Sequence, residues 1–119
     1  MNDSEFEPSP AQFASLVRSV AVLALPHTGQ VAWLESLTFG ASNVGELALD
    51  FEDGYLIAPQ LVAAGWLTSE FVRQLGIIDA LLDEMSGASN AYQWTADALQ
   101  NSPEWEKVRE LARAALFQL

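Results

Sequence analysis

The chain contains no cysteine. That absence removes disulfide staples, thiolate metal sites and cysteine nucleophiles together, and it fits a reducing cytoplasm. Basic residues are also scarce: five Lys and Arg stand against sixteen Asp and Glu, for a formal charge of −11. A field of that sign repels nucleic acid and anionic membranes and attracts basic partners. Only one histidine is present, His27. With no Gly-x-Ser-x-Gly elbow either, little remains from which to build a nucleophilic triad. The longest strongly apolar run, Val20 to Leu25, falls far short of the roughly 20 residues that span a bilayer. The opening MNDSEFEPSP is acidic and lacks an apolar run behind basic residues, so no secretory leader is expected.

Half of the 119 residues are hydrophobic, enough for one domain that buries roughly two-thirds of its unfolded surface. Residues 1–8 are expected to form a disordered acidic lead, and residues 9–119 a single helical domain. Ser9, Pro10 and Gln12 supply a cap, a first helical residue and a capping box. Phe13, Leu16, Val17, Val20 and Ala24 then make a helical face that Pro26 ends. His27-Thr28-Gly29 reads as a turn. A short helix follows from about Gln30 to Thr38, with Val31, Leu34 and Leu37 inward, and Gly40 and Ser42 break it.

Asn43 and Glu46 form a second capping box, ahead of an apolar stripe of Val44, Leu47, Phe51 and Tyr55. Gly54 and Pro59 predict two helical pieces, about 44–53 and 57–64, with Gly65 as a C-cap. Thr68 caps the next helix. Phe71, Leu75, Ile78, Leu82 and Met85, widened by Val72, Ile77 and Leu81, give the strongest helical signal and predict the central buried helix. Gly76 within it implies close packing. Trp94-Thr95 opens a short helix to about Asn101, with Leu99 as the contact for Trp94. Ser102-Pro103-Glu104 starts the last helix, with Trp105, Val108, Leu111, Ala112, Ala115 and Leu119 inward. No segment alternates as a strand, and no repeat of about 20–50 residues signals a solenoid. The fold class is therefore all-α, a single bundle of about five to seven helices.

The acids are not scattered evenly. From Ser19 to Val72 there are six and no Lys or Arg, and Gln74 to Glu106 carries six more unaccompanied. Glu46, Asp50 and Asp53 recur at helical spacing, with Glu52 close by, although like charges so placed repel by a few tenths of a kcal/mol per pair. A solvated acidic face is the simplest explanation, and a docking face for a cationic partner is the functional one. Metal binding fits poorly. With Gly54 at the turn position, an EF-hand would need its first ligand at Leu49. A di-iron bundle needs Glu-x-x-His pairs, and Asp79 with Asp83 is only a pair. Acid–base catalysis is not specified by any two of sixteen acids, so no catalytic residue or cofactor is assigned. Trp66 follows the capping Gly65 just beyond the acids. Buried, it belongs between helices; exposed, it becomes an interface anchor beside Tyr55.

Two resemblances bear on function. Glu35-Ser36-Leu37 and the stretch SNVGELALDFEDGY resemble the serine and following acidic helix of acyl-carrier proteins, but the two parts do not register: Ser36 lies too far from Glu46, and Ser42 lacks the flanking Asp and Leu. GELALDFEDGYLIAPQLVAAG, LDEMSG and WTADALQNSPEWEKVRELARAAL together resemble the small acidic all-α immunity proteins of bacterial toxin systems, including contact-dependent growth inhibition. This second resemblance covers Glu46 to Leu116. It implies a cytoplasmic, non-enzymatic protein that binds a cognate toxin domain, often a basic nuclease, and blocks its active site. The residues expected to meet such a partner are Glu46, Asp50, Glu52 and Asp53, with Tyr55 and Trp66 as anchors. An acyl carrier, or a helical adaptor whose charge serves solubility, is the alternative.

Overall fold

Ser9 opens the first helix with reciprocal bonds. Its hydroxyl accepts from the Gln12 amide at 3.1 Å, and the Gln12 side chain accepts from the Ser9 amide at 2.8 Å. The computed structural model describes residues 7–37 and 43–119, and every element among them is helical. In chain order these are α1 (Pro10–Ala24), α2 (His27–Glu35), α3 (Gly45–Tyr55), α4 (Ala58–Ala63), α5 (Ser69–Glu84), a 3₁₀ segment (Ala88–Trp94), α6 (Ala96–Asn101) and α7 (Pro103–Leu116). Residues 1–6 of the expected acidic lead, the Thr38 end of the second predicted helix, Gly40 and Ser42 lie outside the described residues.

Four of the helices close a ring: α1 packs on α3 and α7, and α5 packs on α7 and α3. Helix α2 sits against α1 and α6, and α4 lies on α5. Fully buried Leu16, Val20, Phe51, Phe71, Leu75 and Trp105 fill the interior. The periodicity of α5 places its stripe correctly, since Phe71, Leu75, Ile78, Leu82 and Met85 are all buried. Its predicted centrality needs correction. Helix α5 forms one wall, with Ile77 exposed, and α1 and α7 pack on each other as extensively as α5 packs on α7. Leu119 is likewise exposed, because the last helix ends at Leu116.

Helix α2 starts three residues earlier than predicted. Pro26 keeps an extended ψ and its carbonyl accepts from the Gln30 amide at 3.0 Å, so His27-Thr28-Gly29 becomes a first helical turn. The capping box predicted at Asn43 does not form. Its side chain accepts from the Gly45 amide at 2.7 Å instead, a tighter turn that bypasses Glu46. At the other end of that stretch the prediction holds. Gly65 adopts φ +83°, and the Gly65 and Trp66 amides donate to the Val62 and Leu61 carbonyls at 2.9 Å each. This paired capping pattern needs a left-handed residue, which glycine supplies without a Cβ penalty.

Gly54 does not end α3; it lets α3 approach α1. A Cβ added there would lie 2.8 Å from Leu16 Cδ1 and 3.0 Å from the Leu16 Cα, with main chain on one side of the clash. The two helices run antiparallel, since Gln12 and Ser15 flank Asp53 and Ile57 while Arg18 acts on Asp50.

The largest departure from apolar packing is Arg109, 4% exposed on the inner face of α7. Its Nη1 donates to Gln30 Oε1 and to the Leu99 carbonyl, each at 3.0 Å. Its Nη2 meets Glu106 at 3.1 Å. Gln30, also fully buried, passes the contact on by donating to the Val22 and Leu23 carbonyls at 3.3 and 3.0 Å. Arg113 donates to the next carbonyl, Ala24, at 2.8 Å. The end of α1 has no basic residue of its own. Helix α7 and Gln30 thus satisfy its orphan carbonyls, and the arginines place positive charge at the negative end of its dipole.

Replacing Arg109 by Met should leave Gln30 Oε1 and the Leu99 carbonyl without a donor and lower stability by about 3 kcal/mol, read from denaturant unfolding. Gly54→Ala should lower it by about 1–3 kcal/mol through overpacking at Leu16. An unchanged denaturation midpoint for Gly54→Ala would mean that α1 and α3 can separate freely.

Candidate functional site

Helix α3 buries Leu47, Phe51 and Gly54, and at 100° per residue its remaining positions divide into two flanks and a crest. Asp50 and Asp53 lie on the α1 side. Asp50 feels Arg18, and Asp53 borders a cleft with Gln12 and Ser15. Glu52 lies on the opposite flank, where it borders a groove; Glu46, one turn before Asp50 and close enough to raise it, reaches the same groove from the first turn. Leu49 and Leu56 stand on the crest between the flanks, 55% and 75% exposed. Glu46, Asp50 and Asp53 therefore keep the stripe that their spacing predicts, and Glu52 stands across the crest from Asp50 and Asp53.

The two aromatic positions behave differently from each other. Tyr55 is half-buried and stacks on Phe51 with ring centroids 5.6 Å apart. Its hydroxyl lies 3.3 Å from where a Cβ on Gly76 would be, which explains the glycine in α5. Trp66 is 40% exposed and stands edge-on against Phe13 at 5.9 Å, so it covers the start of α1 rather than lying between helices.

The ion-pair pattern is sparse. Among the described residues only Arg73–Glu70 and Arg109–Glu106 pair, so Glu46, Asp50, Glu52 and Asp53 have no cationic partner within salt-bridge distance. Asp50 Oδ2 is buried without a hydrogen bond. Burial raises the Asp50 carboxyl above its usual value, opposed by Arg18 and reinforced by Asp53 and Glu46. Glu70 shows the opposite case: hydrogen bonds from Arg73 and then Gln74 pull it down to about 2. Hydrogen bonds with Gln93 and Ser102 likewise lower Glu104. Asp79 and Asp83 gather no third ligand, and no group of three potential metal ligands exists among the described residues. Ser36, the serine of the carrier-like segment, caps the end of α2 and donates to the Trp33 carbonyl at 2.6 Å.

The groove beside Glu46 and Glu52 is the feature that sequence reasoning missed. About 540 Å³ in volume, it runs between α3 and the turn that follows α5, with Ala48, Leu49, Ala91 and Trp94 on its apolar surface. Leu49 carried the one available signal: it is a leucine two residues off the stripe that Leu47 and Phe51 define. The far wall is held firmly. Trp94 Nε1 donates to the Met85 carbonyl at 2.8 Å, and Asn90 Nδ2 donates to the Glu84 and Ser86 carbonyls at 3.1 and 3.0 Å.

No family model, curated protein or solved structure matches this chain. No helix among the described residues is long and apolar enough to cross a membrane. Fold and surface together define an all-α bundle that carries unpaired carboxylates around an exposed apolar crest.

The raised Asp50 carboxyl has a definite sign in stability. Folding favours its protonated form, so the ionised group costs stability at neutral pH, and that cost lifts as pH falls through the folded-state value. Glu70 acts in the other direction. Its contribution is present above the ordinary carboxylate value and is lost as pH falls toward 2. Asp50→Asn should raise the Tm at neutral pH, with the gain shrinking in acid. A variant that melts lower than wild type at neutral pH would show that attraction to Arg18 outweighs burial.

Proposed function

We propose that the chain is a non-catalytic immunity protein that binds a cognate, cationic toxin domain in the cytoplasm and neutralises it one-to-one. The observation that carries this reading is the set of α3 carboxylates, exposed or half-buried, with no internal ion pair. The resemblance of residues 46–116 to immunity proteins of toxin systems supports the role, and the charge of −11 supports the sign of the partner. A nuclease-like toxin that grips phosphates presents Lys and Arg. Carboxylates can occupy those cations in place of the phosphates and so block the substrate site. Long-range attraction would speed encounter, while buried apolar contacts would set the lifetime of the complex. An unpaired, half-buried carboxylate such as Asp50 also gives the free protein a penalty that a partner's cation can relieve.

The test is affinity for the toxin domain encoded beside this chain, measured at low and high salt. Binding should weaken as salt rises. Combining Glu46→Gln, Asp50→Asn, Glu52→Gln and Asp53→Asn should weaken it at least tenfold. No binding, or binding untouched by the four neutral substitutions, overturns the reading. Binding that persists at high salt and ignores these acids instead identifies a helical adaptor acting through an apolar surface.

A further inference from the structure

We infer that the groove between α3 and the 3₁₀ segment is the docking site for an amphipathic cationic segment of a protein partner, one that presents an apolar side chain flanked by arginine or lysine. The inference deepens the proposed function by assigning the contact to one flank of α3, and it rests on that reading for the identity of the partner.

Charge complementarity selects the occupant. Two carboxylates, Glu46 and Glu52, border the groove, and none of the described residues that line it is basic. The surface between them is apolar: Leu49 is 55% exposed, with Ala48, Ala91 and the half-buried Trp94 beside it. An anionic or purely apolar segment would leave both carboxylates uncompensated. A hydrophilic cationic segment would leave Leu49 and the indole in water. A segment with both properties satisfies both parts.

The shape agrees with this choice. A volume of about 540 Å³ lies within the range of roughly 300–1,000 Å³ typical of ligand clefts and can accept one or two large side chains. Two glycines, Gly45 and Gly87, line the groove and leave main chain accessible at opposite walls. Gly87 adopts φ +101°, and a Cβ built there would meet nothing within 4 Å, so that rim is open. The wall is already ordered. Trp94 is fixed by its bond to Met85 and by an edge-on contact with buried Trp105 at 5.3 Å. Little conformational freedom remains to be lost on binding, which favours affinity. The Trp94 N–H is satisfied internally, so the ring meets the groove as an aromatic wall rather than as a donor, and such a wall suits a cationic side chain.

The opposite flank serves as the built-in comparison. Asp50 and Asp53 face α1, where the adjoining cleft has about one-third of the groove's volume, about 180 Å³, and lacks an exposed leucine.

The experiment uses the full chain, isotope-labelled for NMR, and three synthetic helical peptides. One carries leucine and arginine on a single face, one carries the same arginines with the leucines replaced by serine, and one replaces the arginines with glutamate. The first should bind and shift the amides of Ala48, Leu49, Glu52 and Ala91 and the Trp94 indole N–H. The second should bind at least tenfold more weakly, and the third should not bind. Leu49→Arg and Glu52→Arg both alter exposed positions and should each reduce binding of the first peptide at least tenfold. Glu110→Arg, an equal change of charge on α7, should leave it within twofold. Shifts centred on Asp50 and Asp53, equal binding of the leucine and serine peptides, or Leu49→Arg binding as wild type would each overturn the inference.

The same variants, tested against the neighbouring toxin domain, separate the two claims. Toxin binding that is salt-sensitive but indifferent to Leu49→Arg removes the groove and leaves the immunity reading. Peptide binding in the groove without toxin binding removes the immunity reading and leaves the groove.

Discussion

A single buried cation holds one end of this fold together. Arg109 belongs to α7, yet its guanidinium reaches Gln30 on α2 and the last turn of α6, and through Gln30 it reaches the end of α1. A guanidinium can do this because its donors fan out in a plane and cannot be neutralised by losing a proton. Its desolvation is offset by three acceptors, one of them the partly exposed Glu106. Four elements are thereby fixed by directional bonds rather than by apolar packing alone. The carbonyls at the end of α1 need donors from outside the helix, and they receive them from Gln30 on the next helix and from Arg113 on α7.

The first turn of α7 is fixed by indoles. Trp105 is fully buried and donates to the Gln93 carbonyl at 2.6 Å, and Trp94 stands against it while donating to Met85. The short 3₁₀ segment, which contains residues of low helical propensity, is thus held at its far margin, and Asn90 ties its earlier part to the Glu84 and Ser86 carbonyls. This is what gives the groove beside α3 a firm wall. Core and surface are joined there through one pair of rings, and the geometry of the groove is inherited from the packing of α7.

The fold was legible where local chemistry and periodicity agreed. The stripe of α5, the reciprocal cap at Ser9, a break ahead of Pro59 and the glycine cap at Gly65 all follow from short-range patterns, although α3 runs two residues past its predicted end at residue 53. The misses share a different cause. Gln30 and Arg109 are polar residues buried through partners far away in sequence, 79 positions apart in their mutual bond. Position 109 does fall within the helical stripe of Trp105, Val108 and Ala112, but a charged residue there reads as solvent-facing until its acceptors are known. Gly54 was read as a helix weakener because its role depends on Leu16 of another helix. The candidate surface was legible in its charge and illegible in its arrangement. Spacing put Glu46, Asp50 and Asp53 in one stripe with Glu52 close by, whereas packing turns Asp50 and Asp53 toward α1, opens a groove at Glu46 and Glu52, and supplies Trp94 and Ala91 from a segment some forty residues on.

The arginines have one more consequence, and it concerns how copies of the protein meet one another. Arg73 is clasped by Glu70, Arg109 is buried, and Arg113 is turned onto the Ala24 carbonyl. Apart from Arg18 and Lys107, the rest of the surface charge is then negative. At about 0.15 M salt, electrostatic fields decay over about 8 Å, so two such molecules ignore each other until nearly touching and then repel. That is the range at which the bare side chains of Leu56 and Phe117 could begin to pair. Mutual repulsion thus acts as a short-range buffer between neighbours. It allows apolar groups to remain uncovered on a concentrated, like-charged population while leaving them available to a molecule of the opposite sign.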